Sequence, residues 1–185
     1  MSGDQSLLRG KHILAVDDEE DVLESIEDIL DESVIDSARD YESASQKIEK
    51  GQYDLVILDI MGVNGLKLLE ESVGRGMPTV MLTAHAVRPE TLMESIQKGA
   101  ICYLPKEKLS ELDDLLNEIL GAFHRGDPPW KLLFEKLGDY FDRRFGPDWK
   151  EKDREFWSDF NRTYSIGKGI QQRLKQDKRI LDKGI

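Results

Sequence analysis

"YDLVILDI", residues 53–60, carries four consecutive apolar residues, Leu55 to Leu58, and then a carboxylate, Asp59. A run this short, bounded by polar residues, reads as a buried strand with an acid at its tip. The stretches "HILAV" (12–16), "SVIDSA" (33–38), "TVMLT" (79–83) and "ICYL" (101–104) have the same character. Between them the apolar residues adopt helical spacing, as at Val22, Leu23, Ile26, Ile29 and Leu30. Five strands alternating with five helices predict an α/β fold. The sheet is expected to be parallel and covered on both faces, because each parallel connection needs a crossover and right-handed crossovers return their helices to the sheet.

In an open sheet of this kind ligands gather outside the carboxyl ends of the strands. The first strand ends in Asp17 and Asp18, the third in Asp59, the fourth in Thr83, and the fifth region in Lys106. Two ionised carboxylates ~4 Å apart repel by ~4 kcal/mol at an effective dielectric of 20. Three of them must therefore protonate, hold a cation or lean on Lys106. A hard divalent ion with oxygen ligands is the economical solution, and magnesium suits it because it takes a few carboxylates, keeps waters and accepts phosphate oxygens. Asp59 is then a candidate nucleophile toward phosphorus, with Lys106 and the metal offsetting charge and Thr83 donating to a phosphoryl oxygen. A single strand-end Asp would read as a turn former or helix cap. The ordered set of Asp-Asp, Asp, Thr and Lys is what points to chemistry.

The charge is unevenly spread. Residues 1–126 hold 12 Lys/Arg against 26 Asp/Glu, and residues 127–185 hold 14 against 11, so any polyanion partner must be sought at the C-terminal end. Composition shifts at the same place: "HRGDPPW" (124–130) punctuates the chain, and 10 of the 14 aromatic residues lie after Gly126. The expected organisation is an N-terminal arm over 1–10, an α/β domain over 11–125 and a helical accessory segment over 126–185. No signal-peptide core or bilayer-length apolar stretch is present, so a cytoplasmic protein without membrane insertion is expected. Cys102 is the sole cysteine, which excludes an intrachain disulfide and a thiolate metal cage.

The blocks "ILAVDDEEDV", "YDLVILDIM", "VMLTAHA" and "KGAICYLPK" resemble, in order, the four signature blocks of the receiver domains of two-component response regulators, the CheY-like family. The resemblance covers about residues 10–125. It implies the flavodoxin-like doubly wound strand order 2-1-3-4-5. It further implies that Asp59 is the phosphoacceptor and that a magnesium ion is held by Asp18, by Asp17 through water, by Asp59 and by the backbone carbonyl of Met61. Thr83 and Lys106 match the phosphate contacts, and Tyr103 matches the aromatic that turns inward when the threonine moves. The Met61 and His85 side chains match the positions flanking the path of the hydrolytic water, where they would tune the lifetime of the phosphoryl group. The implied partner is a sensor histidine kinase or phosphotransfer protein, and the implied activity is confined to the protein's own phosphorylation and dephosphorylation. The implied readout surface spans roughly residues 89–123.

Two features depart from the family pattern. "DIMGVNG" reaches Gly65 six residues after Asp59 where eight is usual, and Glu107 stands where a proline commonly follows the lysine. A degenerate receiver acting as a phosphorylation-independent binding module is one alternative, and it is opposed by the full set of acidic, hydroxyl and ammonium positions. A haloacid-dehalogenase-like phosphatase is another. Its motif needs a second Asp two residues after the first, where Glu19 follows Asp17.

Beyond Gly126, residues Trp130, Leu133, Phe134, Leu137, Phe141 and Phe145 mark one face of a helix starting after Pro128-Pro129 and stopped by Gly146-Pro147. Trp149, Phe156, Trp157, Phe160 and Tyr164 mark a second, predicting an antiparallel hairpin. "QQRLKQDKRILDK" (171–183) suggests a third, basic helix. Residues 162–185 carry seven Lys/Arg against two Asp, but the second helix is mixed in charge, so DNA binding is the disfavoured output. A segment that docks on the acidic domain, pairs two copies into a homodimer or captures a protein partner is the favoured one.

Overall fold

Leu55–Leu58 are buried on both faces, which a strand achieves only at the centre of a sheet covered on two sides. The computed structural model describes residues 5–84 and 87–165. The strands are β1 (His12–Val16), β2 (Val34–Ala38), β3 (Leu55–Leu58), β4 (Thr79–Thr83) and β5 (Cys102–Pro105). They form one parallel sheet in the order β2-β1-β3-β4-β5. The crossovers are α1 (Glu20–Ile29), α2 (Tyr41–Lys50), α3 (Gly65–Gly74) and α4 (Pro89–Gln97). After β5 a 3-10 turn, Lys106–Glu111, leads into α5 (Leu112–Arg125). All the strands run the same way, so their carboxyl ends share one edge. Val34 on the outer strand β2 is 52% exposed, whereas β3 and β4 are wholly buried.

Residues 5–10, expected as an arm, are tied to the domain. Asn117 on α5 accepts from the Leu7 amide (2.8 Å), and Leu8 is buried with the core.

Gly126 ends α5 in the left-handed region at φ 76, and Pro129 opens α6 (Pro129–Phe145), where a missing N–H costs nothing. Gly146, at φ 91, ends it. A second 3-10 turn, Glu151–Asp153, precedes α7 (Arg154–Ser165). The stripe Trp130, Leu133, Leu137 and Phe141 is buried, and α6 packs on β5 and α5. Three polar contacts fix its placement. The Trp130 indole donates to Ala100 O (2.8 Å), Lys136 pairs with Glu118 (2.7 Å), and the Tyr140 hydroxyl donates to Glu107 (3.2 Å). The two helices therefore do not close on each other alone. One side of α6 is covered by the receiver-like sheet domain, while Trp157 and Phe160 of α7 meet Phe134 edge-on at 5.7 and 5.8 Å. The expected basic helix over 171–183 lies outside the described residues. Among the described residues no helix is long and apolar enough to cross a membrane.

Phe141 has no exposed surface and its ring centroid lies 6.3 Å from that of Tyr103. Phe141→Ala is expected to cost about 3 kcal/mol or more and to open α6 from β5. Urea unfolding combined with limited proteolysis after residue 126 checks this. Unchanged stability and protection would mean that the α6 packing is not maintained in solution.

Candidate functional site

The β1–β3 register ends on the pair Val16–Leu58, so the next residue on each strand is an aspartate. The Asp59 amide extends the ladder by donating to Val16 O (2.9 Å). Asp17 and Asp59 are only 2% and 5% exposed. Lys106 reaches them because the β4–β5 register pairs Thr83 with Pro105, leaving the lysine one residue beyond. Its Nζ lies 2.8 Å from Asp17 Oδ2, 3.1 Å from Glu19 Oε1 and 3.4 Å from Asp59 Oδ2. The second oxygens are also held: Asp17 Oδ1 accepts from the Glu19 amide and Asp59 Oδ1 from the Ile60 amide, each at 2.9 Å.

Burial pushes the Asp17 carboxyl above its ordinary range, against the opposing bond from Lys106. Asp59 is raised by burial first and by the Asp17 charge second. Burial works to lower Lys106, but its bond to Asp17 and the Asp59 charge outweigh that and hold the ammonium above its usual value. These shifts describe two carboxylates that the fold disfavours in their charged form, relieved by one ammonium.

Asp18 stands at the mouth, against the turn that follows β3. Gly62 has φ +82, and a Cβ there would come within 2.5 Å of Asp18 Oδ2. At Gly65 a Cβ would sit 1.8 Å from the Asp59 carbonyl oxygen. The short loop thus closes only with glycine at both places, helped by Asn64 at φ 54. Met61 opens the turn and is 51% exposed. Carboxylate oxygens of Asp17, Asp18 and Glu19 can lie within 4.8 Å of one another. An all-oxygen donor set next to a glycine-lined turn fits a hard divalent cation. Thr83 supports the fit from the other side: it is fully buried, and its Oγ1 has no hydrogen-bond partner among the described residues.

Tyr103 stands on β5. It is buried beside α4 and α6, with its hydroxyl 2.8 Å from Thr91 Oγ1, and burial pushes its pKa up to about 12. His85 lies outside the described residues. Glu19 belongs to this site as well, although the sequence marks it only as the departure from a phosphatase motif. Its local signal, the acidic run "DDEE" (17–20), is visible in the sequence, but its reach to Lys106 depends on two loops far apart in the chain.

Residues 13–119 match the response regulator receiver domain family. The chain belongs to that family. The receiver is 30% identical over 122 residues to the phosphate regulon transcriptional regulatory protein PhoB of Klebsiella pneumoniae, covering 59% of this chain and 53% of that protein. It is 29% identical over 121 residues to the two-component response regulator ARR12 of Arabidopsis thaliana, covering 61% and 20% respectively. The chain therefore spans about half the length of the PhoB relatives it matches. Among solved structures, a CheY-like receiver domain protein from Methanospirillum hungatei JF-1 superposes with a TM-score of 0.51 at 27% identity, covering 60% of this chain and 98% of that one. A two-component response regulator from Clostridium difficile gives 0.56 at 26%, covering 61% and 98%.

In this receiver the raised Asp59 pKa has a consequence for stability. A carboxyl raised by folding weakens the folded state once pH exceeds the ordinary carboxylate range, near ~3.9, and does not weaken it below that range. Asp59→Asn is expected to raise Tm at pH 7 by roughly a few degrees and to leave it nearly unchanged at pH ~3, where the wild-type carboxyl is protonated in both states. Thermal denaturation at the two pH values checks this. A lower Tm at pH 7 would mean that the attraction of Lys106 outweighs the desolvation of Asp59.

Proposed function

We propose that this receiver is the phosphorylation-activated switch of a two-component signalling system. In this reading Asp59 accepts a phosphoryl group from a phosphohistidine on a sensor histidine kinase or phosphotransfer protein. The observation that carries it is the pair of buried carboxylates, Asp17 and Asp59, sharing the Lys106 ammonium at the strand ends. Asp17, Asp18, Asp59 and the Met61 carbonyl would hold magnesium, which when bound offsets the charge of the incoming phosphoryl oxygens. An Asp59 oxygen attacks phosphorus, the P–N bond breaks, and its electron pair returns to the donor imidazole, which takes up a proton. Lys106 donates to one phosphoryl oxygen, and the buried Thr83 hydroxyl gains a partner in another. The protein acts on no separate metabolite in this reading, and it works in the cytoplasm.

Output follows from what lies beside β5. Converting the Asp59 carboxylate into an acyl phosphate, which carries nearly two negative charges and three new acceptor oxygens, draws Thr83 and its loop inward and alters the packing around Tyr103. Tyr103 is bonded to α4 through Thr91 and touches α6 through Phe141. The change is thereby delivered to the C-terminal helices, whose release or repositioning governs contact with a protein partner or a second copy of the chain.

Incubation with acetyl phosphate and magnesium, followed by intact-mass analysis, tests the assignment. The wild type is expected to gain one phosphoryl group and Asp59→Asn none. Undiminished labelling of the variant would move the site elsewhere.

Similarity to a protein named as a transcriptional regulator supports a second reading, DNA-binding output through the basic residues 162–185. A gel shift with random-sequence duplex over a salt series separates the two. Retention that weakens steeply with salt would favour DNA, and none at low salt would leave the protein-partner output.

A further inference from the structure

We infer that Glu19 is a positioning residue that restrains Lys106 and thereby sets the rate at which Asp59 is phosphorylated. This rests on the phosphoacceptor reading above.

An ammonium has three N–H donors. Those of Lys106 face three carboxylates, on Asp17, Glu19 and Asp59, at 2.8, 3.1 and 3.4 Å. The donors are fully committed, so Lys106 can bond a phosphoryl oxygen only by releasing one of them. Asp17 is the poorest to release, being the nearest and only 3% exposed at its side chain. Its carboxylate would be left buried without its cation, which is costly. Asp59 is the reacting group. Its contact with Nζ is the longest of the three, and its oxygen is committed to phosphorus as the bond forms. Glu19 is different because its side chain is 53% exposed. Its carboxylate can pass to water with little desolvation cost, as exposed ion pairs do.

Glu19 also gains relative to its competitors as the site is loaded. If Asp17 and Asp59 turned their oxygens to a bound divalent ion, which would itself supply the cation that Asp17 needs, Glu19 would be the carboxylate left to hold the ammonium back. The helix that follows supplies no other cation to neutralise Glu19, since the first turn of α1 carries Glu20 and Asp21. Among the described residues Lys106 is thus its one cationic partner. Glu19→Gln keeps the shape but removes the carboxylate charge that attracts the ammonium, and so loosens the hold. For a bond this exposed, the labelling rate should rise on the order of three- to fivefold.

The test is a double-mutant cycle read by the rate of acetyl phosphate labelling with magnesium, together with a crystal structure of the Glu19→Gln chain. Glu19→Gln is expected to label faster than the wild type with an unchanged melting temperature. In a Lys106→Ala background the same substitution is expected to give no acceleration, because its effect passes through the ammonium. In the crystal the Lys106 Nζ is expected nearer to Asp59 Oδ2 than 3.4 Å. Labelling that is unchanged or slower, an equal gain without Lys106, or an unmoved Nζ would each overturn the inference. If the wild type takes no label at all, the phosphoacceptor reading fails instead, and the Nζ position still decides whether Glu19 restrains Lys106.

Discussion

The Lys106 ammonium between Asp17 and Asp59 is the constraint on which the rest of the structure depends. Two carboxylates at the end of neighbouring central strands, each almost wholly removed from solvent, cannot both ionise without a cation. The sheet register makes their meeting unavoidable, since Val16 and Leu58 are partners and both chains continue into aspartate. The cation must therefore come from a strand that ends nearby. The β4–β5 pairing supplies it by carrying Lys106 one step past the Thr83–Pro105 pair. The turn after β3 has to fold back closely enough to leave the site open yet formed, which is why Gly65 tolerates no side chain against the Asp59 carbonyl.

Much of this was legible because the decisive features are local. A four-residue apolar run with an acid at its tip says strand and strand end at once, and five such runs separated by helical spacing leave few topologies. Gly126, Pro129 and Gly146 mark helix ends by their own backbone preferences, and α6 starts and stops where they place it. What was not legible depends on distance in space. Glu19 joins Lys106 across 87 positions of the chain, and nothing in its own neighbourhood announces that. Leu7 and Leu8 lie in a stretch with no periodicity, yet Asn117 on α5 holds the backbone there and Leu8 enters the core. Tyr103 was placed by resemblance as a moving aromatic. Its actual partners, Thr91 and Phe141, lie on two separate helices.

The aromatic count in the C-terminal segment predicted a packing face without saying what would cover it. The structure divides that face in two. Trp130 and Phe141 go to the sheet domain, where no polar atom of theirs is left over, since the Trp130 indole finds Ala100 O. Phe134 sits at the seam and receives Trp157 and Phe160 from α7, with the Lys150 ammonium 4.8 Å from its ring centroid. Burial lowers the Lys150 pKa, with Asp142 opposing, so its cation is held by ring faces together with one carboxylate. The accessory helices are therefore an extension of the receiver core on one side and a small aromatic cluster of their own on the other.

The departure at Glu107 gains a physical meaning from this arrangement. A proline after the lysine would offer no side-chain acceptor, whereas Glu107 accepts from the Tyr140 hydroxyl on α6. Lys106 is bonded to Asp17 and Asp59 while its neighbour is bonded to the accessory helix. Consecutive residues of one 3-10 turn thus face the acidic site and the C-terminal segment respectively. A shift of the Lys106 backbone toward the site would pull on Tyr140, and its neighbour Phe141 lies against Tyr103. The site and α6 are in this way joined along two short routes, one through the turn and one through β5, and neither requires a long chain of intermediaries. A change in the partners of the ammonium has only one residue to cross before it meets the helix that covers the sheet domain.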